Sequence, residues 1–166
     1  VIIISDTSPI TNLAAIGQLD LLRRLYNVVI IPVAVHNEMV GIGKIVPGTE
    51  EVQTLSWIQT QAVADMQQVV MLQSSRENID LGEAEAIALA LEIKADLLLM
   101  DERRGRAFAQ ELGLNVVGLL GILLQAKNQN LIAAVKPLID RLIQEADFRV
   151  SPQLYRSILQ IADEEI

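Results

Sequence analysis

Two short apolar runs, each stopping at an aspartate, restrict the possible folds of this chain more than any other feature. Val1-Ile2-Ile3-Ile4-Ser5 is an almost unbroken β-branched run that ends at Asp6, and Asp96 to Met100 is a second apolar stretch that ends at Asp101. Runs this short, without polar alternation, read as strands buried on both faces, as in a parallel sheet. Each is followed at once by a helical pattern, so each aspartate sits at the turn from strand to helix. In an open parallel sheet the carboxyl ends of the strands form one rim, and ligands bind there near the point where strand order reverses. The two acids are therefore expected on the same edge of the molecule.

The rest of the chain supports that arrangement. Ser8-Pro9 has the form of a helix cap followed by proline, which predicts a short helix over Ile10 to Ile16, broken by Gly17. Leu19 to Tyr26 is a second amphipathic stretch, and Val28 to Ile31 a second buried strand. Pro32 opens a helix that carries Glu38 and stops near Gly41. Gly41 to Gly48 reads as a loop, and Thr49-Glu50-Glu51 begins a helix with acids in its first turn. Trp57 to Gln73 is compatible with a short edge strand followed by a helix. Asp80-Leu81-Gly82-Glu83 has capping-box spacing and introduces an alanine-rich helix over Ala84 to Lys94. After the strand Asp96 to Met100, Glu102 to Leu112 is helical with Gly113 behind it, and Asn115 to Val117 is a last short strand. Helices follow at Leu119 to Ala126 and Leu131 to Ile143, and Ser151-Pro152 starts another. This alternation predicts one domain over 1–166 of the α/β class, a three-layer α/β/α arrangement around a mostly parallel sheet of four or five strands.

Composition narrows the chemistry. Hydrophobic residues make up 51% of the 166 but aromatics only 3%, so the core is built from Ile, Leu, Val and Ala. There is no cysteine and one histidine, which removes disulfides, a thiol nucleophile and thiolate zinc sites and fits a reducing cytoplasm. The longest apolar stretch, Val116 to Leu124, falls well short of the roughly 20 residues a membrane span needs. The first residues lack the basic leader and cleavage site of a secretory signal. A formal net charge of −8 opposes nucleic acid on average, so such a partner requires local basic groups or a metal.

Four acids are candidates for one site: Asp6 and Asp101 at the strand ends, Glu83 in the first turn of the helix before the second of those strands, and Glu38 on the helix after Val28 to Ile31. Each also has a purely structural reading. Asp6 and Asp101 are good turn and cap residues, Glu83 is the distal member of a capping box, and Glu38 suits a solvated helix face. If the four gather within ~4 Å, each like-charge pair costs about 4 kcal/mol at an effective dielectric of 20, which a divalent cation would relieve. An all-oxygen set suits Mg²⁺ or Mn²⁺ better than zinc.

Arg103, Arg104 and Arg106 occupy the opening turns of a helix, where cations oppose the helix dipole. They either pair with Asp101, Glu102 or Glu111, or meet substrate phosphates. Lys44 in Gly41-Ile42-Gly43-Lys44 does not make a phosphate-binding loop, since the first glycine, the hydroxyl residue after lysine and the preceding strand are missing. His36 reads as an exposed helix residue. Glu85, two residues from Glu83, points away from it on a helix and stays outside the set.

The motifs together resemble the PIN-domain nucleases, over nearly the whole chain. Ser5-Asp6-Thr7-Ser8 is similar to the family's opening acid with its small hydroxyl neighbours, Ile31-Pro32 leading to Glu38 to its second motif, and Glu83-Ala84-Glu85-Ala86-Ile87-Ala88-Leu89-Ala90 to its third acid on an alanine-rich helix. The interval from Glu83 to Asp101 also resembles the family's. Gly82-Glu83-Ala84-Glu85-Ala86-Ile87, Asp101-Glu102-Arg103-Arg104-Gly105-Arg106 and Gly118-Leu119-Leu120-Gly121 are similar to an uncharacterised bacterial branch of the superfamily, of toxin–antitoxin type. Glu83 stands where many members have Asp, and Leu99 where many have Ser or Thr. The resemblance implies a metal-dependent endoribonuclease in which Asp6, Glu38, Glu83 and Asp101 hold one or two Mg²⁺ or Mn²⁺ ions and activate water against RNA, with Ser8 orienting a carboxylate or water. It further implies a toxin, a small antitoxin partner and a homodimer; no sequence feature identifies the dimer face, for which the apolar helices between Leu119 and Ile143 are a candidate.

Two other readings compete. One is a PIN-like binding or regulatory module with weak or no catalysis, favoured by the acidic balance and the altered third motif. The other is phosphoryl transfer to aspartate, which in dehalogenase-like phosphatases needs a second Asp two residues after the nucleophile, where this chain has Ser8.

Overall fold

The computed structural model describes residues 1–41, 43 and 45–166; Lys44, considered above for phosphate binding, lies outside them. Five strands and ten helices alternate along the described chain: β1 (Ile3–Ser5), α1 (Thr7–Ala15), α2 (Asp20–Tyr26), β2 (Val29–Pro32), α3 (Val33–Val40), α4 (Thr49–Thr54), β3 (Ile58–Gln61), α5 (Met66–Ser75), α6 (Leu81–Glu92), β4 (Leu97–Leu99), α7 (Arg103–Glu111), β5 (Val116–Val117), α8 (Leu119–Asn128), α9 (Lys136–Glu145) and α10 (Pro152–Ile161). All pairings are parallel, in the order β3-β2-β1-β4-β5. The expected α/β class with helices on a parallel sheet is the observed one, with five strands.

The sheet separates two cores because neighbouring strand residues face opposite sides. Ile3 and Leu99 enter one core with Leu13, Leu22, Met39, Ile122 and Ile139. Ile4, Leu98 and Met100 enter the other with Val69, Leu72, Ile87 and Phe108. Helix α6 is buried at every position from Gly82 to Ala90, which explains its alanines: it lies against β1, β2, β4, α3 and α5, where larger side chains would not fit. Strand order reverses between β1 and β4, and the register Ser5↔Leu99 sets their carboxyl ends side by side.

Several local expectations change. Helix α1 starts at Thr7 with Asp6 as its N-cap, so Ser8 lies within the first turn and caps nothing. The segment read as an edge strand and helix is β3, exposed at three of its four residues, followed by α5, whose N-cap Asp65 accepts from the N–H groups of Gln67 and Gln68. The helix expected over Leu131 to Ile143 begins only at Lys136. Asn130 adopts φ +61 after α8, and Pro137, in the second helical position, suits a start rather than an interior. Helices α8 and α9 turn Leu119, Ile122, Leu123, Leu138, Ile139 and Leu142 into the core, so most of the apolar surface expected to form a dimer face is already used. Among the described residues no helix is long and apolar enough to cross a membrane.

Candidate active site

The cleft at the reversal point is assembled from three strand or helix ends. Asp6 leaves β1 in extended conformation (φ −77, ψ 177), and its N–H donates to the Leu99 carbonyl at 2.9 Å. That bond continues the ladder one residue beyond β1 and fixes the Asp6 carboxyl, only 5% exposed, beside β4. Helix α3 departs from β2 at Pro32, whose side chain supplies no cap. Instead the buried Glu85 reaches over from α6 and accepts from the Ala34 N–H at 3.0 Å. That contact ties α3 to α6 and accounts for Glu85 without giving it a place among the site acids. Glu38, in the last turns of α3, accepts from Thr7 Oγ1 at 3.0 Å.

The third element is the N-terminus of α6, where the predicted capping box is present. Glu83 N–H donates to Asp80 Oδ1 at 2.8 Å, and Asp80 N–H donates to Glu83 Oε2 at 3.1 Å. Between these two acids stands Gly82. A methyl group added there would lie 3.0 Å from Glu38 Oε2, 3.5 Å from Asp80 Oδ1 and 3.6 Å from Asp6 Oδ1. Three carboxylates from three elements thus converge on one point, and only glycine leaves that point open. The surrounding cleft, about 630 Å³, is lined by Thr7, Ser8, Thr11 and Asn12 of α1 together with Asp80, Glu83, Glu102, Glu145 and Asp147.

Burial and crowding raise the proton affinity of this cluster. Asp6 is pushed up to about 7, first by burial and then by the charges of Glu83, Asp80 and Glu38, against the opposing hydrogen bond from the Thr7 N–H. Glu83 is likewise pushed up to about 7, chiefly by burial, with the charges of Asp80, Glu102 and Glu38 adding to it and the Asp80 N–H opposing. Positive charge brought into the cluster would favour the ionised form of both groups.

Asp101 is at the same rim but turned differently. It does not line the cleft; its Oδ1 accepts from the Leu119 N–H at 3.1 Å, the first free donor of α8. Burial raises its pKa, while that bond and the Arg106 guanidinium lower it. Gly118 makes the arrangement possible, since a methyl there would meet Arg106 Nη1 at 2.5 Å and Asp101 Oδ1 at 3.0 Å. Arg106 is half-buried near Asp101, and among the described residues it makes no ion pair. Glu111 pairs with Arg76, which leaves Arg103 and Arg104 exposed and, among the described residues, without an ion pair. His36 is half-buried on α3.

Four acids that line the cleft, Asp80, Glu102, Glu145 and Asp147, lie outside the set that the sequence singles out. Asp80 was readable, because a capping box puts both its acids on one helical turn. Glu102 follows Asp101 directly, and which of the two faces the cleft depends on the Gly118 contact. Among the described residues no group of three or more acids or histidines is arranged to hold a metal ion, and Glu38, Glu83 and Asp101 each accept a hydrogen bond from a protein donor. The donor chemistry fits a hard divalent cation, being all carboxylate with hydroxyl neighbours.

A family model described as a PIN domain matches residues 2–164. No curated protein matches the chain.

Proposed function

The chain belongs to the PIN-domain family, a nuclease-type fold, and we propose that it is a metal-dependent endoribonuclease that hydrolyses phosphodiester bonds in RNA. The observation that carries this reading is the meeting of Asp6, Glu38 and Asp80 oxygens over Gly82, beside a buried Glu83, at the carboxyl ends of adjacent parallel strands. The residues proposed to hold Mg²⁺ or Mn²⁺ are Asp6, Glu38, Glu83 and Asp101, the last on release of the Leu119 N–H. When bound, a divalent ion supplies Lewis acidity toward a phosphodiester and a more acidic water.

The chain's own groups do the positioning. Thr7 holds Glu38 by its hydroxyl, and the Asp80–Glu83 exchange fixes the start of α6. Ser8, on the α1 wall, is available to orient a carboxylate or water. Arg103, Arg104 and Arg106 are available to substrate phosphates. We extend the proposal to a toxin of a toxin–antitoxin pair, with a small antitoxin covering the cleft and a homodimer as the functional unit, in the cytoplasm. The support for that extension is the motif resemblance.

The direct test is cleavage of labelled single-stranded RNA with Mg²⁺ or Mn²⁺ by the parent and by Asp6→Asn. The proposal expects cleavage that requires the ion and falls at least about 100-fold in the variant, a loss of about 2.7 kcal/mol of transition-state stabilisation. Equal cleavage by both rejects it. A second reading, a binding module without catalysis, is favoured by the commitment of Asp101 to the Leu119 N–H; it expects ion binding with no RNA cleavage by either protein.

A further inference from the structure

A second cavity, of about 430 Å³, lies beside the acidic cleft, bordered by Arg76, Glu77, Asn78 and Ile79 between α5 and α6 and by Arg104 and Ala107 of α7. The chain itself joins the two: Ile79 leads into Asp80, and Glu102 precedes Arg103 and Arg104, while Asp80 and Glu102 line the acidic cleft.

Arg76 is fixed from two sides. Its guanidinium lies 5.0 Å over the Phe108 ring and is ion-paired with Glu111, yet the Arg76 side chain remains 46% exposed and borders the cavity. A planar cation is thus pre-set with surface available for stacking. Asn78 takes φ +66, which turns the chain sharply beside it and leaves an exposed amide. Arg104, exposed and without an ion pair among the described residues, stands on the opposite wall. Guanidinium planes stack on unpaired bases, amides bond base edges, and arginine binds phosphate in bidentate fashion.

We infer that this cavity takes one unpaired nucleotide of the RNA strand, its base stacked on Arg76 and its phosphate on Arg104, next to the position where the acidic cleft acts. The inference rests on the RNA reading above. Glu77 on the rim and Glu111 behind Arg76 leave little net positive charge, so recognition depends on the base as well as the phosphate.

The test uses the full chain carrying Asp6→Asn, so that RNA is not consumed, and a fluorescent single-stranded RNA of about ten nucleotides, within the usual span of such sites. Binding is followed by anisotropy across a salt series. Adding Arg104→Ala is expected to weaken binding roughly ten-fold and to reduce the salt slope by about 0.7, the value for one lost phosphate contact on a single strand. Adding Arg76→Lys, which keeps the charge and the Glu111 pair but removes the plane, is expected to weaken binding about five-fold or more with the slope unchanged. Normal RNA binding by both variants overturns the inference. So does an oligoglutamate peptide that binds as tightly as RNA through the same arginines, since that ligand is a protein partner's chemistry. A parent that cuts RNA while both variants bind normally rejects the cavity and keeps the nuclease; a parent that cuts nothing while both variants lose RNA rejects the nuclease and keeps the cavity.

Discussion

Asp6 stands where the sheet ladder ends, and its surroundings disfavour its charge unless a cation is present. Replacing it by Asn removes that conflict. Asp6→Asn is therefore expected to raise the melting temperature of the ion-free protein at pH 8 while removing most Mg²⁺-dependent cleavage, a gain in stability at the expense of function. Gly82→Ala separates the same two quantities at the neighbouring position. Alanine is favoured over glycine in a helix by up to about 1 kcal/mol, so thermal stability should hold or rise. Its methyl would nevertheless press on Glu38 Oε2, and cleavage is expected to fall roughly ten-fold, as for other small displacements of a catalytic group. Unchanged cleavage by Gly82→Ala would remove Glu38 from the working set. The places of Asp6 and Glu83 in the fold are legible in the sequence, because strand ends and capping boxes are local patterns. The orientation of Asp101 is not, because it depends on a hydrogen bond from the Leu119 N–H, 18 residues along the chain.

Among the elements, α3 and α6 carry the geometry. Helix α3 has no cap of its own and borrows the buried Glu85 of α6. Glu85→Ala leaves the Ala34 N–H without a partner and is expected to destabilise the fold by about 1–3 kcal/mol, read from denaturant midpoints, with Glu85→Gln milder because its amide oxygen can still accept. Loss of stability without loss of Mg²⁺ affinity in Glu85→Gln would mark the residue as a brace; altered affinity would make it part of the site. The elements themselves were mostly readable, since apolar runs and cap residues report the local backbone. The apolar pattern runs on from Leu131 and hides the start of α9 that Pro137 marks, and Ser8-Pro9 matches the cap pattern although the turn lies at Asp6.

For the molecule as a whole, Asp6 and Glu83 set the pH dependence. Their folded-state pKa values, about 7, lie above those of an unfolded chain, so between roughly pH 4 and 7 the folded state binds more protons than the unfolded one and stability falls as pH rises. For Asp6 alone the change from 3.8 to about 7 corresponds to about 4 kcal/mol, a sizeable part of the roughly 5–15 kcal/mol that holds a domain together. Ion-free protein is thus expected to melt higher at pH 5 than at pH 8, with Mg²⁺ recovering the difference at pH 8 and doing little at pH 5. The parallel sheet, its two cores and the common rim follow from alternating apolar runs; the cleft's depth and the arginine cavity arise from tertiary contacts that no local pattern encodes.

The most direct test of the central claim is a carbon NMR titration of the Asp6 carboxyl in ion-free protein and in saturating Mg²⁺. A midpoint near 7 that drops well below 7 with the ion is the predicted result. A midpoint at the ordinary aspartate value without the ion, unmoved when Mg²⁺ is added, would contradict the account.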